Sequence, residues 1–367
     1  MMLRGGGIMS KKVKKNRKMK KSFKILILLL IFGFGALGAY YALNGKGKKI
    51  SENIKEKVEE IVEKKEEPKL QVYDADSNKR PIAVMIPHDT WGGAQDRQYG
   101  IQDAYIIYEI FAEGGITRLM ALFKDVNTEK IGPIRSSRSY YLDYAMESDA
   151  IYVHWGYSPQ AQADIPKYGI NNINGLAEEG ISVFRDWDYS APNNGFTSIK
   201  SIYDRSEQKK YATTSDKWKL FDYSVEPLDL TKDETYKAAN NVSVYYTGKY
   251  SAKYKYDAEK KYYLRFNNDK AHIDNGTKEQ LHVKNIIILK INNHLIAGDT
   301  KGRIDLENIG SGKGYYITDG GMIDITWKKD SRTSKTEYRD SKGNKLVLND
   351  GNTFIQVQPV NSSVDVS

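Results

Sequence analysis

The stretch EIFAEGGITRLMALF, residues 109–123, decides how the first half of the chain folds. Apolar runs suited to strands lie in and around it, at 104–110 and 117–123. The Ala-Glu-Gly-Gly segment 112–115 between them is rich enough in glycine to reverse the chain. The sequence therefore predicts two consecutive strands joined by a short turn.

Outward from this pair, strand patterns and helix patterns alternate between residues 80 and 223. Four further segments carry them: strands at 81–86 and 150–154, and helices at 136–146 and 197–208. The strands are continuous apolar runs, whereas the helices show apolar side chains at helical spacing. Alternation of this kind favours a layered α/β sandwich domain over 80–223.

Residues 224–367 have a different pattern, in which short strands are separated by turn residues at regular spacing. The segments with this pattern are 242–246, 254–256, 262–266, 283–291, 314–318, 322–327, 345–348 and 353–357. Helical periodicity is nearly absent here, so a small all-β domain is predicted. The fold class expected for the whole chain is α+β or α/β, with an N-terminal transmembrane helix ahead of the two domains.

That helix is expected at 25–43, the uncharged run ILILLLIFGFGALGAYYAL, which follows a basic segment, 1–24. A helix of this length just crosses a hydrocarbon layer of ~30 Å. The positive-inside rule places the N-terminus in the cytoplasm and the body outside the cell. A cleaved signal peptide, with small residues at 36–38 as its cleavage site, is the alternative. A charged linker is expected to follow at 44–79.

Composition excludes several classes of function. The formal net charge is +9, but 13 of the basic residues and none of the acidic ones lie in 1–49, so the remainder carries a net charge of −4. A mildly acidic body lacks the basic surface that binds nucleic acid, which is therefore excluded as a partner. The chain has no cysteine, which excludes disulfides, thiolate metal sites and cysteine nucleophiles.

Six segments carry a family resemblance: EIFAEGGITRLMALF (109–123), IGPIRSSRSYYLDYA (131–145), AIYVHWGYSPQA (150–161), VKNIIILK (283–290), GSGKGYYITDGGMIDITW (310–327) and LVLNDGNTFIQVQP (346–359). They resemble the YerB-like lipoprotein family of Gram-positive bacteria. The resemblance implies a two-domain extracytoplasmic protein whose molecular function is not established. This chain departs from the family in lacking a lipobox cysteine, so the transmembrane helix would replace the lipid anchor.

Three arginines, Arg118, Arg135 and Arg138, are the candidates for binding an anion. The last two flank a pair of serines where a strand is predicted to pass into a helix, and a helix N-terminus favours negative charge. Arginine binds phosphate or carboxylate through two parallel hydrogen bonds. The alternative is structural, with Arg135 and Arg138 paired to Glu109 or Glu113. The acidic candidates at this site are Asp103, Glu109 and Glu113.

The run IGPIRSSR at 131–138, with its upstream acidic residues, is similar in pattern to the LytR-CpsA-Psr ligases. Those enzymes bind a polyprenyl diphosphate and transfer glycopolymer to peptidoglycan. The similarity implies an envelope phosphotransferase or hydrolase acting on a diphosphate-linked substrate, in which the three arginines bind phosphate. Asp103 or Glu113 would then hold Mg²⁺, and this alternative alone calls for a cofactor.

His154 and Ser158 are the candidates for catalysis. His154 ends a predicted strand, and sites in α/β folds usually lie at the carboxyl ends of strands. As a general base it would need an acidic partner and a nucleophile such as Ser158. A buried, hydrogen-bonded histidine is the alternative, and no metal-ligand spacing accompanies it, so no metal site is expected.

Trp155, Tyr157 and Trp187 are the candidates for an exposed aromatic surface. Exposed aromatic rings stack on sugars and also anchor protein interfaces, whereas buried rings would only form core. The leading hypothesis is a membrane-anchored, extracytoplasmic envelope protein that binds a cell-wall component or a partner protein. Whether the chain is an enzyme is left open by its sequence.

Overall fold

Strands dominate the part of the chain that the computed structural model describes, residues 69–89 and 93–367. The strands are β1 Ile82–His88, β2 Ile106–Phe111, β3 Thr117–Phe123, β4 Ile151–His154, β5 Asn172–Asn174, β6 Phe184–Arg185, β7 Gly195–Phe196, β8 Asp222–Ser224, β9 Lys237–Ala238, β10 Asn241–Thr247, β11 Tyr250–Asp257, β12 Tyr262–Asn267, β13 Lys270–Ala271, β14 His282–Val283, β15 Asn285–Lys290, β16 Asn293–Leu295, β17 Ile304–Leu306, β18 Gly310–Thr318, β19 Gly321–Lys329, β20 Glu337–Asp340, β21 Val347–Asn349, β22 Thr353–Gln358 and β23 Val364–Val366. The α-helices are α1 Ser139–Glu147, α2 Pro159–Lys167, α3 Gly175–Glu178 and α4 Ile199–Gln208.

An eleven-stranded sheet takes strands from both halves of the chain. Its order is β20-β19-β18-β15-β22-β2-β3-β1-β4-β5, with β9 beside β19. β2 and β3 form the antiparallel pair expected around the glycine turn, with Ile106 opposite Leu122. β22 lies parallel to β2 on its other side, with Ile107 opposite Phe354. The two halves of the sequence therefore build one sheet.

Apolar cores cover both faces of this sheet. Alternate residues of β1 divide between the cores, because successive side chains of a strand point to opposite faces. Ala83 and Met85 belong to the core beneath α1, whereas Val84 and Ile86 belong to the core shared with a second sheet. That second sheet has six strands in the order β13-β12-β11-β10-β23, with β14 beside β12. Burial on both faces explains why the central strands read as continuous apolar runs.

The predicted fold class is wrong. The first half does not form an α/β sandwich of its own, because its strands share a sheet with strands of the second half and its helices are few and short. Pairing between distant strands such as β2 and β22 leaves no local pattern in the sequence. The prediction also included a transmembrane helix, but among residues 69–89 and 93–367 no helix is both long and apolar enough to cross a membrane.

The remaining predictions concern the N-terminal segments and the division between the two domains. The segments 1–24 and 25–43, and the linker 44–79 as far as residue 68, lie outside the described residues. The predicted division between residues 223 and 224 falls inside β8, which pairs in parallel with β21.

Candidate functional site

Most of the predicted site residues lie where the parallel strands β1 and β4 end. β1 and β4 pair as far as Val84 and Val153. After these residues, the segment 134–137 lies between the two strands. Arg135 N donates a hydrogen bond to Met85 O, and Trp155 N donates one to Arg135 O. The backbone of Arg135 is therefore fixed from both sides at the carboxyl edge of the sheet, the usual place for a site between parallel strands.

Arg118 and Arg138 share the carboxylate of Glu113. Arg138 Nε donates to Glu113 Oε2 at 2.9 Å, Arg138 Nη2 donates to Oε1, and Arg118 Nη2 lies 3.4 Å from Oε1. Burial by itself raises the pKa of Glu113, but the two arginines outweigh it and lower the pKa to about 2. Glu113 is therefore ionised at neutral pH, and Arg138 makes one of the pairings that the structural alternative expected.

Arg135 differs from these two arginines. Within residues 69–89 and 93–367 its guanidinium donates no hydrogen bond and forms no ion pair, and its side chain is partly buried. Burial lowers the pKa of Arg135, the positive charge of Arg118 and that of Arg138 lower it further, and the carboxylates of Asp89 and Glu113 oppose them. The three arginines are thus close enough for their charges to interact, and within the described residues the donors of Arg135 have no acceptor.

The other acidic candidates do not join the arginines. Asp103 accepts a hydrogen bond from Thr128 Oγ1 at 2.7 Å. Glu109 points to the opposite face of the sheet, where it pairs with Arg265. In the described part of the chain, no three histidine or acidic side chains are grouped as metal ligands. The structure therefore brings together only Glu113 from the acidic set.

His154 and Ser158 are each held by other groups. His154 is buried, its Nδ1 lies 2.8 Å from Gly156 O, and its Nε2 lies 3.2 Å from Asn172 Oδ1. Burial lowers the pKa of His154. Ser158 Oγ accepts a hydrogen bond from Ala161 N at 3.2 Å and so caps α2. These contacts give both residues structural roles, and they do not form a base–nucleophile pair.

The aromatic candidates divide between two faces. Tyr157 packs against the core beneath α1. Trp155 lies against Gly175 and Gly195 so closely that a β-carbon on either would come within 2.4 Å of its ring. The guanidinium carbon of Arg185 lies 4.4 Å from the Trp155 ring centre and 5.9 Å from that of Trp187.

Trp187 itself is the most exposed large apolar side chain of the described residues, at 77%. Leu176, at 64%, borders Trp155 through Gly175. We call these four side chains, Trp155, Leu176, Arg185 and Trp187, the aromatic surface. It holds two of the three predicted rings, and it adds Leu176 and Arg185, which were not among the candidates.

Comparison with known proteins assigns the family. The N-terminal domain model of DUF3048, a protein family of unknown function, matches residues 68–212, and the C-terminal domain model matches residues 241–355. The chain belongs to the DUF3048 family. A relative, "Putative lipoprotein YerB" of Bacillus subtilis (strain 168), is 32% identical over 260 residues, which are 69% of this chain and 74% of that protein.

The crystal structure of the YerB protein from Bacillus subtilis matches the DUF3048 fold described above. Its TM-score is 0.68 at 29% identity, and the match covers 78% of this chain and 94% of that one. The resemblance to YerB-like lipoproteins inferred from six sequence segments is therefore confirmed.

A second polar cluster of this DUF3048 protein was not predicted. It lies between the two sheets, where Glu109 of β2 meets Arg265 of β12 with both side chains fully buried. Arg265 Nη2 donates to Glu109 Oε2 at 2.6 Å. Tyr250 Oη donates to Glu109 Oε1 at 2.7 Å, as does Thr117 Oγ1. Burial by itself raises the pKa of Glu109, but Arg265 outweighs it and lowers the pKa to about 2.

Hydrogen bonds around this ion pair close into a ring. Arg265 Nη1 can only donate, so His272 Nδ1 accepts from it and His272 Nε2 donates to Gln98 Oε1. Gln98 Nε2 then faces His88 Nδ1 at 3.2 Å, and His88 Nε2 faces Tyr250 Oη at 2.8 Å. Both histidines are therefore neutral. Burial lowers the pKa of His88 to about 3 and that of His272 well below its usual value.

The ring borders a cavity of about 330 Å³, which His88 and Tyr250 line together with the glycine turns at 114–115 and 248. One signal in the sequence could have found Arg265. It alternates with Tyr263 and Asn267 in β12, and a residue in phase with a buried tyrosine shares its buried face. His88 and Gln98 offered no such signal, because Tyr250 and His272, which join them to the ion pair, lie in the other half of the chain.

Proposed function

We propose that this DUF3048 protein is a membrane-associated, extracytoplasmic protein that binds a cell-wall glycan at its aromatic surface. The envelope location is supported by the relative whose name is "Putative lipoprotein YerB". Binding is supported by Trp187, whose side chain is 77% exposed. A large exposed ring is the observation that carries the proposal.

The chemistry of the aromatic surface suits a sugar. A sugar ring has apolar C–H faces and a rim of hydroxyl groups. A protein surface that binds it therefore needs aromatic rings bordered by polar groups. Arg185 supplies such a group between two tryptophans, and Glu179 holds it through Nε at 2.7 Å. Rings fixed in place lose little entropy on binding, and Trp155 is fixed against Gly175 and Gly195.

The size of the surface favours a glycan over a stable protein complex. Stable protein interfaces use about 20–30 residues from each partner. The aromatic surface has four side chains, which match a few sugar rings.

The test is co-sedimentation of the full chain with protease-treated peptidoglycan. We expect Trp187→Ala and Leu176→Ala to weaken binding about tenfold without changing the melting temperature, because exposed side chains contribute little to folding. Leu295→Ala is the matched control, since Leu295 is 69% exposed on β16, away from this surface. Equal binding by all three variants would overturn the proposal, and binding only to peptidoglycan that keeps its proteins would indicate a protein partner instead.

The phosphotransferase alternative stays a prediction. Two of its acidic residues have other partners, Thr128 for Asp103 and Arg265 for Glu109. No observation on the described residues favours it over binding.

A further inference from the structure

Arg135 has a guanidinium that donates no hydrogen bond to any described residue, whereas the neighbouring Arg118 and Arg138 are already paired with Glu113. We infer that Arg135, supported by Arg118 and Arg138, binds the carboxylate or phosphate group of an acidic cell-wall glycan. The identity of the glycan rests on the proposed function, whereas the binding of an anionic group rests on the arginines alone.

The surroundings of Arg135 are rigid. Its N–H and C=O are both bonded to the sheet, to Met85 O at 2.8 Å and from Trp155 N at 2.9 Å. Arg118 and Arg138 are clamped by Glu113, and Arg138 Nη1 also donates to Ser137 O at 2.7 Å. A ligand therefore spends little free energy on ordering Arg118 and Arg138, and only the side chain of Arg135 remains to be ordered.

The charges leave room for one more anion. Three guanidinium groups interact here with two carboxylates, those of Glu113 and Asp89. Burial and the two neighbouring arginines both disfavour the charge of Arg135, so an added anion would relieve the repulsion. A planar guanidinium gives such an anion two parallel hydrogen bonds, for carboxylate or phosphate alike.

The helix that follows adds to this field. Arg138 is the N-cap of α1, a helix of nine residues, and its side chain makes no capping hydrogen bond to the first N–H groups. The N-terminal end of a helix carries a partial positive charge. The same end of the sheet therefore collects the positive charge of three arginines and one helix.

The backbone of Arg135 lies next to the aromatic surface, because Arg135 O accepts a hydrogen bond from Trp155 N. Gly156 lies between Ser136, the residue after Arg135, and Leu176 of the aromatic surface. A β-carbon on Gly156 would lie 3.4 Å from Ser136 Oγ and 3.7 Å from Leu176 Cδ1. A sugar stacked on the aromatic surface is thus within a few side chains of Arg135. A glycan that carries an acidic group on or next to that sugar fits both features.

The experiment measures the melting temperature of the full chain with added sodium phosphate or sodium acetate, against sodium chloride at equal ionic strength. Ligand at about 100 times its dissociation constant should raise the melting temperature by several degrees. We expect phosphate and acetate to raise the melting temperature in this way. In Arg135→Gln, at least ten times more of either anion should be needed for the same rise. Arg135→Lys keeps the charge but loses the paired donors, and should fall between the two. Arg339→Gln is the control, because Arg339 is an exposed arginine of β20 that pairs with Glu337 outside both sites, and it should behave as wild type.

Nε–Hε signals of arginine give a second measurement that does not depend on stability. The Arg135 signal should move and saturate with phosphate or acetate, and not with chloride. An equal response to chloride, or an unchanged response in Arg135→Gln, would overturn the inference. Failure of Arg135→Gln to fold would be seen by circular dichroism, and the wild-type signals then decide the question.

Two glycan probes distinguish this inference from the proposed function. A neutral N-acetylglucosamine oligomer should bind wild type and Arg135→Gln equally, and should bind Trp187→Ala poorly. Phosphate should bind Trp187→Ala normally. Glycerol phosphate and muramic acid, compared in the same titration, show whether the natural group is phosphate or carboxylate, and binding of neither would reject an acidic glycan.

Discussion

Arg265 Nη2 lies 2.6 Å from Glu109 Oε2, and neither side chain is exposed to solvent. The two residues belong to different sheets and to different halves of the sequence. A buried ion pair costs desolvation of both charges, and it is tolerated only where further hydrogen bonds complete it. Here Tyr250, Thr117 and Asn267 supply such bonds, and Arg265 Nε is the one donor of the pair left without a partner among the described residues. The pair therefore fixes how the second sheet sits on the first.

Breaking this ion pair should destabilise the protein strongly. Arg265→Met leaves Glu109 charged and buried, and we expect a loss of ~3–5 kcal/mol in the free energy of unfolding. The double variant Glu109→Gln/Arg265→Met should recover part of that loss, because no uncompensated charge remains. Urea denaturation measures both values. Lys200→Ala, which removes an exposed pair with Asp204, should cost at most ~1 kcal/mol.

A loss of less than ~1 kcal/mol in Arg265→Met would contradict this account of the ion pair. It would mean that Glu109 takes up a proton in the folded variant, and the stability of that variant would then vary with pH near the pKa of an ordinary carboxyl.

Acid should destabilise the protein because the histidines of the ring are buried in the neutral form. Burial lowers the pKa of His88 to about 3, against 6.5 for an ordinary histidine. Below pH 6.5 the unfolded chain therefore takes up protons that the folded chain does not. The contribution of each such histidine to the free energy of unfolding is fully present above pH 6.5. It is lost as the pH falls toward 3, by about 1.4 kcal/mol per pH unit.

Urea midpoints at pH 8 and pH 5 measure this loss. His272→Gln should flatten the dependence by the share of one histidine, because the pKa of His272 is also lowered, by burial and by Arg265. An unchanged slope in that variant would show that His272 already carries its proton in the folded state. Glu109 adds to the loss at lower pH: its folded pKa of about 2 lies below its usual 4.5, so its contribution disappears as the pH falls from 4.5 toward 2.

Local patterns predicted local elements and little else. The helices expected at 136–146 and 197–208 appear as α1 and α4, and the strands on either side of the glycine turn appear as β2 and β3. Caps, turns and apolar periodicity reside in neighbouring residues, so a single sequence can report them. The pairing of β22 with β2 joins residues about 250 positions apart and could not be read from either strand.

For the candidate site, too, only the features that depend on neighbouring residues could be read from the sequence. The arginines around 135–138 were chosen as candidates because a strand-to-helix transition is visible in the sequence. The partner of Glu109 was not found, because Arg265 lies 156 positions away. Arg185 was not chosen for the aromatic surface, because its place beside Trp155 depends on how β6 and β7 meet.

A methyl group at Gly195 should disturb the aromatic surface from beneath. Its β-carbon would lie 2.4 Å from the Trp155 ring, so Gly195→Ala must displace the indole or the strand. We expect a loss of ~1–3 kcal/mol in unfolding free energy and weaker glycan binding. Gly248→Ala is the matched control, because a β-carbon there meets no atom within 4 Å. Equal stability of the two variants would mean that Trp155 is not held against Gly195.

Removing the carboxylate of Glu113 should lower the stability of the protein and strengthen its binding of anions. In Glu113→Gln, Arg118 and Arg138 lose the charge that holds them, and Arg118 is almost completely buried. A buried charged donor left without its partner costs ~1–3 kcal/mol. The variant should therefore unfold at lower urea concentration than wild type in sodium chloride. An anion from solution supplies the missing charge, so phosphate should recover much of the loss and should bind more tightly than it does to wild type.

The control is Glu179→Gln, which makes the same chemical change at the partner of Arg185. That pair is exposed enough for solvent to screen it, and phosphate should stabilise Glu179→Gln no more than wild type. Urea midpoints in phosphate and in chloride at equal ionic strength give the comparison directly. A Glu113→Gln variant that gains nothing from phosphate would show that the three arginines do not accept an anion even when their own carboxylate is gone, since that variant presents the most positive form of the site.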